Sequence, residues 1–484
     1  MCFKVHKSIY RRMYLWLEID LIQVYFGAHY GTIYRKGTVL MLRNTFRGGV
    51  HPDDGKKFAR DVSYQTYIPK GDLIFPLNQH IGKPARPIVQ KGDPVLAGQL
   101  LAEADGFVSA NIVSSCSGRV KAVENRKTVA GPSVPCIVVE NDGNYTLADG
   151  IGQDTDTDSL SGQEILDRIK AAGIIGLGGA GFPTHVKLAP RNPEEIEYVI
   201  ANGAECEPYI TCDDQLMRTK AREIVEGLKI MLRLFPKAEG VIIIEENKPE
   251  AIAAMEQACT GEEKVRVQAV HTKYPQGGER SVISVVAGKH LKLGMLPADA
   301  GCVVDNVATV HAIYRAVCKS EPVMERGFTV SGDGVHNPCN LMVRIGTSFS
   351  EVLEAAGGLK EGIKVEKLLC GGPMMGIALA SLDVPICKNN NALTVLCTDP
   401  VAEAEKLQTA CLRCGRCNQV CPLGLTPQMM AVAAEKKNYE RYEKKLYGLE
   451  CIACGSCTYI CPAKRPLMQL FKQAKAEIMA AKRK

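Results

Sequence analysis

Eight cysteines near the C-terminal end fall into two runs of one spacing. The first is Cys411, Cys414, Cys417 and Cys421, followed by Pro422; the second is Cys451, Cys454, Cys457 and Cys461, followed by Pro462. Three closely spaced thiolates can wrap one corner of an iron–sulfur cubane, while a fourth beside proline is thrown clear of the other three. Zinc knuckles instead combine two Cys-x-x-Cys pairs, commonly with histidine, and no histidine occurs beyond residue 400. Core thiols are the remaining alternative, and two independent matches to the pattern make it remote. The chemistry expected is one-electron transfer through two [4Fe–4S] clusters. With 20 cysteines in 484 residues the chain is too large for a disulfide scaffold, so a reducing compartment is expected.

A second candidate is Gly176-Leu177-Gly178-Gly179-Ala180-Gly181, which satisfies the Gly-x-Gly-x-x-Gly pattern of dinucleotide sites. That fingerprint requires a strand ahead of it, and here a helix leads in, so an ordinary Rossmann site is not expected. Residues without Cβ atoms still let backbone N–H groups approach a phosphate or a flat ring. A plain helix end and turn is the competing reading. Glu205 and Glu207 also carry two readings, ligand contacts or solvated loop carboxylates. His51, His80, His185, His271 and His336 are isolated and expected to be structural.

The elements that must position these residues are legible in part. Ser161 and Glu164 form a capping-box pattern, and Ile165, Leu166 and Ile169 then repeat at helical spacing to about Ala172. Residues 240–244 form a continuous apolar strand, 249–258 a helix and 265–270 a second strand; this βαβ unit predicts a parallel sheet. Residues 68–140 read as short β segments separated by glycine and proline, and 141–162 as a linker. Residues 327–358 give short strands, a turn at Asp333-Gly334 and a helix over 350–356. From Ala402 onward the pattern is helical, with 428–447 a helical stretch between the cysteine runs.

Several stretches resemble known families. The spacing of the cysteine runs is similar to that of bacterial two-cluster ferredoxins, which implies crossed ligation: Cys411, Cys414 and Cys417 with Cys461, and Cys451, Cys454 and Cys457 with Cys421. Residues 89–103 with 114–120 resemble the barrel-sandwich fold of biotinyl and lipoyl carriers. Those carriers present a modifiable lysine at a hairpin tip, and Ser114 to Ser117 offer none, so a packing or docking role is expected instead. Residues 327–358 resemble the soluble-ligand-binding β-grasp (SLBB) domain.

Gly178-Gly179-Ala180-Gly181-Phe182-Pro183-Thr184 with Lys187, then Asn202-Gly203-Ala204-Glu205-Cys206-Glu207-Pro208, resemble the FMN- and NADH-binding flavoprotein subunit of respiratory complex I. Residues 274–279 and Asn306-Val307-Ala308-Thr309 look like later elements of the same site. By that resemblance Gly176, Gly178, Gly179, Ala180 and Gly181, with Asn202, Gly277 and Asn306, would bind FMN, and Lys187 would lie near its phosphate. Phe182, Glu205, Glu207 and Glu279 would face the nicotinamide nucleotide. Leu177 and Ala204 depart from that family, which has Arg and Asp there.

Thr45-Phe46-Arg47-Gly48-Gly49-Val50-His51-Pro52 heads the β module, and with the later modules in order the chain resembles the RnfC family of the Rnf electron-transport complex from about residue 43 to 480. The resemblance implies a multidomain α/β and α+β chain: a barrel-sandwich-like β module (43–145), an α/β FMN/NADH domain (160–320), an SLBB β-grasp domain (325–365) and a helical two-cluster ferredoxin-like module (400–475). It further implies FMN, two [4Fe–4S] clusters and NAD(H) as substrate. The implied setting is the cytoplasmic face of a bacterial membrane, bound peripherally to the other Rnf subunits, membrane and ferredoxin-like, in a ferredoxin:NAD oxidoreductase that translocates ions. Two alternatives stay open: a soluble cobalamin reductase of the propanediol-utilisation type, and an electron relay or scaffold that binds no nucleotide.

Bulk properties narrow the classes. A net charge of +6 over 484 residues is too mild for the concentrated basic face of a nucleic-acid binder, so no nucleic acid is expected as partner. No run reaches the ~18 apolar residues of a membrane span. Residues 1–42 read as an extension, with translation expected from Met41 or near it; an interfacial helix presenting Leu15, Ile19 and Ile22 is the alternative.

Overall fold

The computed structural model describes residues 44–291 and 294–482, with the backbone of 32–35 and 38–41. Residues 1–45 form a unit of their own, in which Thr32–Arg35 and Thr38–Met41 pair as an antiparallel hairpin. The expected start at Met41 therefore falls on a strand end, and the Leu15, Ile19 and Ile22 face lies outside the described residues.

The centre of the second unit, residues 46–484, is a sheet of four parallel strands. Their spatial order is Val265–Val270, Glu239–Glu245, Tyr198–Gly203 and Cys302–Asn306. Val241, Ile242, Ile243 and Ile244 are all buried, as a parallel strand covered on both faces requires. One face packs on the helices Gly162–Ala171, Ala221–Leu232 and Val307–Cys318, through Ile165, Ile224, Leu228, Val310 and Ile313. The other packs on Glu279–Ala287 through Val282 and Ile283. The lead-in helix starts where the sequence places it, with the Ser161 and Glu164 capping box formed.

After the Tyr198–Gly203 strand the chain builds outward to one side and then returns to lay Cys302–Asn306 on the other. Ligands of doubly wound sheets bind in the crevice outside the carboxyl ends of the strands at such a reversal. Here those ends are Asn202-Gly203 and Asn306.

The β module consists of a four-stranded and a three-stranded antiparallel sheet enclosing Leu73, Phe75, Leu101, Ile112, Val120 and Ile137. Ser114, Ser115, Cys116 and Ser117 do not form an exposed tip; all four are buried, and Ser115 Oγ donates to the Ile345 carbonyl. The tip of the hairpin joining Leu100–Glu103 to Ile112–Val113 is residues 104–111, which also lack lysine.

The β-grasp strands Glu325–Ser331 and Cys339–Arg344 pair antiparallel, with the helix Phe349–Ala355 on their core side. Their sheet extends further at both edges. Ala392–Leu396 runs parallel to Glu325–Ser331 and leads to Lys367–Cys370 and Ile377–Ala378, while Tyr64–Thr66 closes the opposite edge.

In the C-terminal module each cysteine run continues into a single helical turn, Arg416–Gln419 or Ser456–Tyr459, and then a longer helix, Pro427–Glu435 or Leu467–Lys482. The stretch 428–447 is not one helix. Lys437 takes φ 51°, and the N–H groups of Asn438 and Lys437 donate back to the carbonyls of Ala433 and Ala434, a Schellman ending. The chain resumes as a π-helical turn at Arg441–Lys445.

Candidate functional site: a glycine-loop crevice and two cysteine cavities

The two runs fold as near copies. Arg413 and Ala453 take φ 55° and 53°, Gly415 and Gly455 take φ 74° and 81°, and the N–H groups of Arg413 and Ala453 donate to Cys411 Sγ and Cys451 Sγ, both at 3.4 Å. Cys421, Cys451, Cys454 and Cys457 line one cavity, and Cys411, Cys414, Cys417 and Cys461 line a second. Four thiols converging on one small apolar space fit the ligand set of a cubane.

Burial pushes the thiols of Cys417, Cys421, Cys451 and Cys457 up, that of Cys451 to about 11. A bound cluster would hold them as thiolates, their protons released on binding. The two cavities differ in exposure: Cys411 and Cys414 are exposed, whereas Cys421, Cys454 and Cys457 are buried.

The glycine loop lies beside the sheet reversal. The position of a Cβ on Gly178 is 3.0 Å from Asn306 Cβ, and Leu177 N–H donates to Thr309 Oγ1 at 2.9 Å. Gly178, Gly179 and Ala180 are exposed, and no hydrogen bond among the described residues uses their N–H groups. Three free donors in sequence, with nothing within 4 Å of the space a Cβ on Gly179 would take, form an opening that suits a phosphate or a ring.

Most of the other sequence candidates surround this crevice. Asn202 Nδ2 donates to the Gly277 carbonyl at 2.9 Å while its Oδ1 accepts from Ala204 N–H. Gly277 must be glycine, because a Cβ would stand 2.2 Å from the Ala204 carbonyl oxygen. Asn306 caps the helix Val307–Cys318, accepting from Ala308 N–H, and its Nδ2 donates to Asp213 Oδ2 at 2.6 Å. Lys187 Nζ is bound at 2.9 Å to buried Asp305 and at 2.7 Å to the Val304 carbonyl. Burial works against the Lys187 ammonium, and the carboxylates of Asp305 and Glu279 outweigh it. Burial raises Glu279, at the first turn of Glu279–Ala287, and Phe182 is half-buried beyond the loop.

Glu205 and Glu207 are not solvated carboxylates. Glu205 is 7% exposed and accepts from Asp213 N–H at 2.8 Å, with Lys56 Nζ 3.9 Å away. Burial pushes it up to about 8 against the pull of Lys56. Glu207 Oε1 accepts from the N–H groups of Met374 and Met375 at 2.7 and 3.0 Å. Lys56 and Met374 were invisible to sequence reading because each comes from a segment remote from the loop it supports, whereas Asp213 lies only 8 residues beyond Glu205. The acidic pair Asp213-Asp214 opening a helix was the only signal.

Glycine loop and buried cysteine cavity belong to one continuous junction. Tyr274 Oη donates to the Cys454 carbonyl at 2.7 Å, and Cys206, Tyr274, Met374, Ile452 and Cys454 pack together with Val50. Gly277 N–H donates to Cys206 Sγ at 3.3 Å. A Cβ on Gly455 would lie 3.2 Å from the Met374 carbonyl, and Arg280 pairs with Glu450. The head of the β module seals the far side: Gly49 N–H donates to the Val420 carbonyl at 2.8 Å, and Val50 exchanges backbone hydrogen bonds with Tyr274.

Family models match in the same order. Residues 44–144 match the RnfC barrel sandwich hybrid domain, 169–315 the Nuo51 FMN-binding domain, 328–378 the SLBB domain and 404–463 a 4Fe-4S dicluster domain. The chain is 43% identical over 438 residues to the C subunit of the proton-translocating ferredoxin:NAD(+) oxidoreductase complex of Clostridium ljungdahlii, covering 90% of this chain and 94% of that one. It is 39% identical to the C subunit of the Na(+)-translocating ferredoxin:NAD(+) oxidoreductase complex of Acetobacterium woodii, covering 91% and 98%. It is 42% identical to the C subunit of the ion-translocating oxidoreductase complex of Rhodobacter capsulatus, covering 79% and 73%. These matches do not favour the cobalamin-reductase alternative. The chain belongs to the RnfC family, the C subunits of the Rnf ion-translocating oxidoreductase complexes.

Proposed function

We propose that this chain passes electrons between NAD(H), at the glycine-loop crevice, and a partner subunit, at the exposed cysteine cavity. The observation that carries the reading is the junction at Tyr274 and Cys454, which sets the crevice against the buried cavity. A bound flavin would exchange two electrons with a nicotinamide and single electrons with an iron–sulfur cluster, so its place is between the two.

The residues divide the work. The free N–H groups of Gly178, Gly179 and Ala180, with Asn202, Gly277 and Asn306, line the flavin position, and Lys187 carries positive charge toward it. Glu205, Glu207, Glu279 and Phe182 border the nicotinamide nucleotide. Cys421, Cys451, Cys454 and Cys457 hold the nearer cluster, shielded from water by Val50, Tyr274 and Ile452. Cys411, Cys414, Cys417 and Cys461 hold the outer one, where Cys411 and Cys414 reach the surface beside Leu412, itself 63% exposed.

The partner is another Rnf subunit, and the chain docks peripherally on the cytoplasmic face of the membrane. No helix among the described residues is long and apolar enough to cross one. Anaerobic stopped-flow mixing of fully reconstituted protein with NADH tests the order, with flavin absorbance followed apart from the broad iron–sulfur band. Flavin should bleach first; Glu207→Gln should slow that phase with iron content unchanged. Absence of flavin bleaching at saturating NADH leaves the nucleotide-free relay as the function.

A further inference from the structure

Four carbonyls along the glycine loop are held by donors from outside the parallel-sheet domain. Lys388 Nζ donates to the Gly173 carbonyl at 2.7 Å, Arg326 Nη1 to that of Leu177 at 3.2 Å and Asn389 Nδ2 to that of Gly179 at 3.1 Å. Backbone N–H of Ile81, in the β module, donates to the Gly181 carbonyl at 3.0 Å. Arg326 lies on a β-grasp strand, and Lys388 and Asn389 lie just ahead of the strand Ala392–Leu396 in the same sheet.

Arg326 and Lys388 are linked through the Lys388 backbone. Arg326 also donates to the Lys388 carbonyl, and Lys388 N–H donates to Gln79 Oε1 at 3.1 Å. Lys388 Nζ reaches the Asn111 carbonyl at 2.6 Å as well, joining the β module, the lead-in helix and the β-grasp sheet at one ammonium. Lys388 is 1% exposed, and burial lowers its amine to about 7. Gly173 permits this approach: at φ +64° it carries no Cβ, which would stand 2.7 Å from Lys388 Nζ.

In a planar trans peptide the C=O and the following N–H point in opposite directions, so holding one aims the other. The carbonyls of Leu177 and Gly179 belong to the same peptide units as the N–H groups of Gly178 and Ala180. Drawing those oxygens toward Arg326 and Asn389 turns those hydrogens to the open side. Leu177, where the complex I family has Arg, is itself turned inward, 3% exposed.

We propose that Arg326, Lys388 and Asn389 are positioning residues for flavin binding, which set the glycine loop so that its free N–H groups face the ligand. Flavin retention thereby depends on the β-grasp sheet and the β module being docked on the parallel-sheet domain. The proposal rests on the crevice being a flavin site.

The test uses the full chain with both clusters reconstituted, and reads the FMN dissociation constant from fluorescence quenching, with iron content and cluster paramagnetic resonance measured on the same samples. Asn389 is half-buried, so its variants should fold. Asn389→Ala and Asn389→Asp, which both remove the donor, should weaken FMN binding roughly five- to tenfold, and Asn389→Gln should recover part of it. Lys388→Met should weaken binding by at least as much. Iron content should not change. The positioning role is overturned if the parent binds FMN and the Asn389 variants bind it equally, or if they lose FMN and iron together. A parent protein that binds no FMN overturns the flavin reading and this proposal with it.

Discussion

The phenol of Tyr274 donates its hydrogen bond to the backbone carbonyl of Cys454, 2.7 Å away, across the boundary between the parallel-sheet domain and the cysteine-rich module. Tyr274 is buried, so no water can replace the bond if it is lost. An unpaired buried carbonyl costs about 1–3 kcal/mol. Tyr274→Phe should lower stability by about that amount in anaerobic urea titrations. It should also perturb the resonance of the cluster held by Cys454 while sparing the outer one. Identical shifts in both signals would mean that the bond serves general packing only.

The proposed crossed ligation gives a sharp pattern. Cys421 adjoins the first run in sequence yet lines the cavity of Cys451, Cys454 and Cys457. Cys421→Ala and Cys454→Ala should therefore abolish the same paramagnetic signal, and Cys414→Ala and Cys461→Ala the other. Each variant should retain roughly half of the parent's iron, since one of two cubanes remains. Should Cys421→Ala and Cys414→Ala remove one common signal, the pairing is wrong.

Gly48 takes φ +78°, and a Cβ there would stand 2.8 Å from the Val420 carbonyl oxygen and 2.9 Å from that of Cys421. Neither backbone atom can move without shifting Cys421. Gly48→Ala should destabilise the protein by about 1–3 kcal/mol from strain alone. Loss of the inner cluster's signal should precede loss of the outer one as denaturant is raised. Equal sensitivity of the two signals would separate the head of the β module from cluster retention.

Glu205 supplies a pH dependence. In the folded chain burial holds its carboxyl to about 8, from an ordinary value of 4.5. Between those limits the folded state binds the proton that the unfolded state has released, so this group's contribution is full below 4.5 and is lost as pH rises through about 8. Glu205→Gln should remove that slope. Urea midpoints of variant and parent should lie closest near pH 5 and diverge toward about pH 8, with the variant gaining relative to the parent. Glu207 and Asp213, also raised by burial, leave a residual slope of the same sign. Parallel curves for the two proteins would show that Glu205 is ionised throughout.

Local chemistry explains what could be read from the chain alone. The cysteine spacing names a cubane ligand set because three thiolates with two residues between neighbours can reach one cluster together. The capping box at Ser161, the apolar run 240–244 and the βαβ order of 239–270 follow from short-range patterning, and together they predict a parallel sheet. Where the strand order reverses is a matter of long-range pairing, and only the fold places Asn202 and Asn306 side by side at that point. Glu205 and Glu207 looked equally suited to solvent, and their burial depends on Lys56 and Met374 arriving from two distant segments and on the helix at Asp213 folding back against Glu205. The hairpin tip was expected at Ser114 to Ser117 from the resemblance to carrier domains, whereas tertiary contact with Ile345 buries that stretch. The clamp of Arg326, Lys388 and Asn389 on the glycine loop joins residues more than 140 positions apart, as the separation of 149 between Arg326 and Leu177 shows. No local pattern encodes such a contact, since it exists only once three modules have packed around one loop.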